Sequence, residues 1–111
     1  MPRGGTNRAT QLLGGRVWVL GGLELGTVRD IVIDARTGRL RYAIVCLPEG
    51  DGLVPVPWRL LVPGAIPGDY LLPLSREGLR DVPIYTPEAL PDFDDRRAMA
   101  EVHVFFGCPP D

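Results

Sequence analysis

Short apolar runs punctuated by glycine and proline fill the first three quarters of the chain. Each run has the length of a strand, and most contain β-branched or aromatic residues, which favour strands. The pattern predicts five strands: Arg16 to Leu20, Thr27 to Asp34, Arg39 to Leu47, Leu53 to Trp58 and Tyr70 to Leu74. Because turn residues separate the runs, we expect an all-β fold with tight connections.

The second strand and the turn after it contain two local irregularities. The offset between Val28 and Ile31 breaks strict alternation and predicts a bulge near Arg29-Asp30. Asp34 and Gly38 then bracket the clearest turn, because Asp bonds nearby backbone N–H groups and Gly accepts a left-handed conformation. The same argument predicts a hairpin turn at the glycines between positions 21 and 26.

The third strand is apolar on both faces in its second half. Tyr42, Ile44 and Cys46 lie on one face, and Ala43 and Val45 lie on the other. A strand with two apolar faces must be buried on both sides. We therefore expect another element to cover its outer face.

The fourth strand has two prolines at alternate positions. Pro55 and Pro57 lack N–H groups on the same edge, so that edge cannot donate ladder hydrogen bonds. We expect the strand to pair through Val54, Val56 and Trp58. The proline edge then blunts unwanted pairing with other chains.

A helix is predicted from Asp95 to Phe106, with acidic residues at its start and Gly107 at its end. Its apolar stripe consists of Met99, Val102, His103 and Phe106, with Ala98 and Phe105 beside it. We expect this stripe to dock on the sheet or on a second subunit.

The neighbouring Phe105 and Phe106 make the helix a candidate interface. Adjacent helical residues project about 100° apart, so one docking surface cannot easily hide both rings. We predict that Met99, Val102, Phe105 and Phe106 form a partner or dimer surface.

Charge and composition narrow the possible functions. All twelve basic residues are arginine, which excludes chemistry that needs a lysine nucleophile. The net charge of −2 gives the chain no general attraction for nucleic acid. Residues 1–23 are basic and residues 76–111 are acidic, and we expect both segments to be solvated.

The two cysteines indicate neither a metal site nor a redox site. Cys46 lies in an apolar run and is predicted to be buried, whereas Cys108 is predicted to be exposed. No Cys/His cluster and no CxxC motif exists, so we expect no cofactor and no metal. The start of the chain lacks an apolar signal-peptide core, and no apolar run is long enough for a membrane span. We expect a cytoplasmic location.

Few residues are candidates for catalysis or metal binding. His103 is the only histidine, and we favour a packing role over acid–base catalysis or metal binding, because both need a positioned partner. The acids Asp92, Asp94 and Asp95 lack calcium-loop spacing and are expected to cap the helix. Asp30 and Asp34 are interpreted as turn formers.

The two tryptophans, Trp18 and Trp58, are predicted to lie in the core, and the alternative is a role in contacts with a partner. No catalytic residue is predicted, and we do not expect an enzyme.

Three motifs in order resemble the PRC-barrel family. They are Gly26-Thr27-Val28-Arg29-Asp30, Asp34-Ala35-Arg36-Thr37-Gly38 and Val56-Pro57-Trp58, with Leu13, Val17 and Gly22 also matching. The resemblance covers roughly residues 13–85. It implies a small PRC-type β-barrel of five to six strands whose common role is protein–protein contact. The family includes the cytoplasmic part of a photosynthetic reaction-centre subunit and the C-terminal domain of a ribosome-maturation factor.

The expected organisation follows from these elements. We predict a flexible arm at residues 1–13, a barrel at 14–92, a helix at 93–107 and a tail at 108–111. The favoured function is a non-catalytic protein-binding or scaffold module that forms a homo-oligomer, with a dimer favoured and a further protein partner unidentified.

Two alternatives stay open at this point. An RNA-linked role in ribosome maturation could use Arg29, Arg36, Arg39 and Arg41, which lie around one hairpin. The barrel mouth could instead bind a small ligand.

Overall fold

A computed structural model of the chain describes residues 6–50 and 52–109. Its elements are α1 (Ala9–Leu12), β1 (Arg16–Val19), β2 (Leu23–Ile33), β3 (Leu40–Cys46), β4 (Leu53–Pro57), β5 (Val62–Pro63), β6 (Tyr70–Leu72) and α2 (Arg96–Phe106). Short 3-10 turns lie at Pro48–Gly50, Trp58–Leu60, Glu77–Leu79 and Pro87–Ala89. The all-β prediction is confirmed, with one C-terminal helix as expected.

The six strands form one curled mixed sheet in the spatial order β4-β3-β2-β1-β6-β5. Successive strands from β1 to β4 pair antiparallel, as tight turns require. The exception is β6, which pairs parallel with β1, and β5 then adds antiparallel to β6. Since β4 and β5 are consecutive in the chain but lie at opposite edges, the sheet curls like a half-barrel.

Several strand boundaries differ from the sequence prediction, and one strand was not predicted. β2 begins at Leu23 rather than Thr27, because its first residues pair with β1 directly after the glycine turn. Trp58 lies in a 3-10 turn instead of the fourth strand. Val62–Pro63 forms β5, which is not among the five predicted strands. Two residues that include a proline give no strand signal by themselves.

Bulges adjust the register of the central hairpin. Val28 pairs with Val45 and Asp30 pairs with Ile44, so Arg29 is the extra residue and the predicted bulge is confirmed. A second irregularity at the other end of the hairpin leaves Arg41 without a partner on β2. The side chain of a bulged residue points in a different direction from those of its regularly paired neighbours. The irregularity therefore changes the direction of the Arg41 side chain.

The core fills the concave side of the sheet. Val17, Val28, Ala43, Val45 and Val56 are at most 2% exposed. They belong to one cluster, completed by Leu12, Val19, Val54, Leu61, Tyr70, Leu72 and Leu79. Burial of these apolar side chains therefore holds the strands together.

Gly26 allows β2 and β3 to approach closely. A Cβ atom at this position would collide with the carbonyl oxygen of Cys46. The glycine of the first motif is therefore required by backbone contact, and any larger residue would force the strands apart.

The proline edge of β4 faces away from β3, as predicted. Val54 and Val56 stand opposite Val45 and Ala43. Leu53 shows the direction of the outer edge, because its N–H donates to the Tyr85 carbonyl and its own carbonyl accepts from the Tyr85 N–H, both at 2.8 Å. Pro55 and Pro57 lie at alternate positions from Leu53 and share this outer edge.

The helix α2 covers the convex side of β3 and β4. Asp95 caps it by accepting from the N–H groups of Arg97 and Ala98, and Gly107 ends it in the left-handed region at φ 63°. Met99 and Val102 pack in a second cluster with Tyr42, Ile44 and Leu53. The expected cover over the third strand is therefore this helix.

The N-terminal segment is partly built into the fold. Residues 1–5 of the predicted arm lie outside the described residues. Leu12, at the end of α1, is 7% exposed and belongs to the main core. Gly14 donates to the Val28 carbonyl at 2.7 Å, which ties the segment to β2. In the described part of the chain, no helix has both the length and the apolar character needed to cross a membrane.

Candidate functional site

A groove lies between the turn of the β2–β3 hairpin and the start of α2. Four arginines line it: Arg36, Arg39, Arg41 and Arg96. Three aspartates, Asp34, Asp94 and Asp95, and the aromatic Phe93 line the same space, whose volume is about 430 Å³. We call it the arginine groove.

Two of the groove carboxylates are used by the local backbone. The Asp34 carboxylate accepts from the N–H groups of Arg36 at 2.8 Å and Thr37 at 3.3 Å, which closes the predicted turn. These hydrogen bonds, led by that of Arg36, lower the pKa of Asp34. Asp95 is occupied as the helix cap. Both interpretations made from the sequence, a turn former and a cap, are confirmed.

Arg41 and Asp94 form an ion pair across the groove. The Arg41 Nη1 and the Asp94 Oδ1 are 3.4 Å apart. The Arg41 side chain is 19% exposed, whereas that of Asp94 is 91% exposed. Arg41 Nε is buried without a hydrogen-bond partner among the described residues. The guanidinium is thus held in place while only part of its hydrogen-bonding capacity is used.

A tyrosine–histidine contact anchors α2 at the end of the groove. His103 Nδ1 lies 2.9 Å from the carbonyl oxygen of Cys108, so Nδ1 donates. In the neutral imidazole, Nε2 then accepts from the Tyr42 hydroxyl, which lies 2.6 Å away. Burial raises the pKa of Tyr42, and the nearby Arg41 opposes this effect more weakly. His103 therefore packs and positions the helix, in agreement with its predicted packing role.

A second surface lies on the convex side of β1, β6 and β5. Trp18 pairs with Leu71, and Leu71 pairs with Val62, so the three residues form one cross-strand row. Their neighbours along β1 and β6 face the core, and this row therefore faces outward. Val62 is 43% exposed and Ile66, in the adjoining loop, is 60% exposed. We call Trp18, Val62, Ile66 and Leu71 the open sheet face.

Asp69 fixes the tryptophan of the open sheet face. Its carboxylate accepts from the Trp18 indole Nε1 at 3.3 Å and from the Arg16 N–H at 3.0 Å. The predicted core position of Trp18 is wrong, because the residue is half-buried in an outward row. Trp58 is also half-buried and packs against Tyr70, with ring centroids 5.1 Å apart.

The residues predicted as a partner surface on α2 lie against their own sheet. Met99 is 2% exposed and Val102 is 0% exposed, both within the second cluster. Phe105 and Phe106 are half-buried and meet edge to face, with centroids 5.0 Å apart. Val104 is the exposed large apolar residue of the helix, at 81% exposure. A role of these residues in partner binding stays a prediction.

Both cysteines differ from their predicted exposure. Cys108 is 5% exposed, because its N–H donates to the His103 carbonyl and turns the chain back after Gly107. Cys46 is half-buried at the end of β3. Within residues 6–50 and 52–109, no three metal-ligating side chains lie together. Gly21 and Gly22 have positive φ and form the β1–β2 turn, as predicted for this glycine-rich segment.

Sequence reasoning missed most of both surfaces. The arginines of the hairpin were noted, but Arg29 does not line the groove and Arg96 does. Val62, Ile66 and Leu71 gave no signal, because their common orientation depends on the parallel pairing of β1 with β6. That pairing joins distant segments of the chain.

Comparison with known proteins supports the motif analysis. The family description of the PRC-barrel domain matches residues 5–74, which is more than half of the chain. A search of curated proteins finds no match.

Proposed function

The chain belongs to the PRC-barrel domain family, and from this premise we propose that it is a protein-binding module that self-associates through the open sheet face. PRC-barrel domains are in general non-catalytic binding or scaffold modules. The single observation that supports self-association is the outward row of Trp18, Leu71 and Val62, continued by Ile66. A contiguous exposed apolar patch is typical of an interaction site.

A second copy of the chain is the occupant that fits the rim of this face. Arg16 and Glu24 lie beside Trp18 on β1 and β2, 3.9 Å apart, with side chains 58% and 35% exposed. A two-fold axis brings each residue type of one subunit to the other, so one patch with both charges can complement itself. Trp18 is pre-oriented by Asp69, which reduces the entropy lost on association.

Self-association can be tested by comparing glutamate substitutions on the open sheet face and on α2. We expect sedimentation velocity of the wild-type chain to show concentration-dependent dimerisation, and the double variant Val62→Glu, Ile66→Glu to stay monomeric. Val104→Glu is the control, because Val104 is exposed on α2, outside the open sheet face. Far-UV circular dichroism of each variant checks that it is folded, because loss of dimerisation can itself lower the thermal midpoint.

The alternatives give distinct results. If Val104→Glu abolishes dimerisation and the double variant does not, the interface lies on the outward face of α2 instead of the open sheet face. A wild-type chain that is monomeric at every concentration would contradict self-association.

An RNA-linked role is the second candidate, favoured by three hairpin arginines that line one groove. Against it, three aspartates share that groove and the net charge is −2. Binding to nucleic acid follows phosphate neutralisation, so such a role requires strongly salt-dependent RNA retention.

A further inference from the structure

The arginine groove contains more positive groups than the chain itself pairs. Asp34 and Asp95 are engaged by backbone N–H groups, and their hydrogen bonds go to the hairpin turn and the helix cap. Arg36 is 90% exposed, and its contact with Asp34 is long, at 3.8 Å. Arg39 and Arg96 have exposed side chains at the groove. In the part of the chain that is described, the groove therefore presents several accessible guanidinium donors.

The geometry of the Arg41–Asp94 ion pair would allow another carboxylate to replace that of Asp94. Arg41 is held in a half-buried position, but it gives Asp94 only one hydrogen bond, and that bond is long, at 3.4 Å. Arginine binds carboxylates best through two parallel bonds. Asp94 is almost fully exposed and can swing into solvent. A carboxylate from another molecule can take its place on Arg41 with better geometry.

We propose that the arginine groove binds an acidic segment of a partner protein, and that Asp94 is an internal competitor for the partner's carboxylate. The groove continues past Phe93 along Val32, Ile33 and Pro91. Ile33 is 55% exposed there. The segment that fits therefore has acidic residues followed by an apolar side chain.

A protein segment fits better than a nucleic acid because of the spacing of charges. Asp34, Asp94 and Asp95 line the groove together with the four arginines. A polynucleotide places a phosphate at every step and would meet these carboxylates, whereas a peptide can place its acids only where arginines lie.

The proposal rests on the role as a protein-binding module but not on self-association. Substitutions in the groove leave the open sheet face intact. Loss of peptide binding with unchanged dimerisation and loss of dimerisation with unchanged peptide binding are therefore separate results.

The experiment uses the full chain and a fluorescein-labelled peptide of four glutamates followed by leucine and phenylalanine, monitored by fluorescence polarisation. We expect saturable binding that weakens about tenfold in Arg41→Gln, since a charged hydrogen-bonding group is lost. Asp94→Asn should tighten binding several-fold, because the competitor is removed. Arg76→Gln, an exposed arginine that does not line the groove, should leave binding unchanged.

Opposite effects of Arg41→Gln and Asp94→Asn cannot arise from general destabilisation. Far-UV circular dichroism of each variant confirms folding, and a glutamine version of the peptide tests the need for carboxylates. Absence of saturable binding by the wild-type chain, equal weakening by both substitutions, or preference for a single-stranded RNA oligonucleotide would each overturn the proposal.

Discussion

The two halves of the convex sheet surface differ in burial, because α2 covers only one of them. On β3 and β4, α2 covers the outward residues, and Tyr42 and Ile44 are each 2% exposed. On β1, β5 and β6, the equivalent row is half-buried or exposed, with Val62 at 43%. Both rows are apolar, so the difference does not come from residue type. It shows that the same kind of surface is buried where α2 covers it and stays partly exposed where none of the described residues covers it.

The covered half should respond most strongly to loss of side-chain volume. Met99→Ala removes most of a side chain that is 2% exposed between α2 and the sheet. We expect the free energy of unfolding to fall by about 3 kcal/mol, because the lost burial adds to a cavity. Urea denaturation followed by tryptophan fluorescence measures this change. A loss below 1 kcal/mol, on the order of a surface substitution, would mean that α2 contributes little to the covered half.

An intermediate effect is expected for the Tyr42 hydroxyl. Tyr42→Phe leaves His103 Nε2 without its donor and should cost about 1 to 2 kcal/mol at neutral pH. Because burial raises the pKa of Tyr42 above its ordinary 10.0, the native state resists deprotonation more than the unfolded state. Wild-type stability should thus fall as pH rises through 10.0 toward the native pKa, and the variant should lose less over that range.

The control for this pH dependence is Tyr85→Phe. Burial also raises the pKa of Tyr85, with a further contribution from Glu101, but its hydroxyl hydrogen bond to Glu101 is long, at 3.4 Å. The Tyr85→Phe variant should therefore retain the Tyr42-dependent decrease in the free energy of unfolding at high pH. Identical pH profiles for the wild-type chain and Tyr42→Phe would show that Tyr42 is not held neutral by the fold.

The smallest effect is expected on the open half. Ile66→Ala removes an apolar side chain that is 60% exposed. In dilute, monomeric protein, we expect the free energy of unfolding to change by less than about 0.5 kcal/mol. The same urea titration used for Met99→Ala gives the comparison directly. Comparable losses for the two variants would remove the distinction between the covered and open halves.

The sequence was most informative where a feature depends on local pattern. The helix ends at Asp95 and Gly107 follow from capping chemistry, and the bulge at Arg29 follows from a break in alternation. The two-sided apolarity of β3 also required a cover, which proved to be α2.

Features that join distant residues were not accessible in the same way. Arg41 and Asp94 are 53 residues apart, and no local motif predicts their contact. β5 is two residues long and contains Pro63, so only its pairing with β6 identifies it as a strand. Cys108 is buried through a backbone turn that tertiary packing holds against His103. The candidate surfaces depend on such contacts, and for this reason only some of their residues were recognised.

The parallel pairing of β1 with β6 also has a consequence for how the chain folds during synthesis. Arg16 on β1 is fixed by Asp69, 53 residues later, and the two strands join only after that whole stretch has been made. The antiparallel strands β1 to β4 can assemble in chain order, since each neighbour follows directly. Non-local pairings close slowly because a long loop must be ordered first. The nascent chain therefore passes through a stage in which one edge of β1 is unpaired, and completion of the sheet depends on the last strand to emerge.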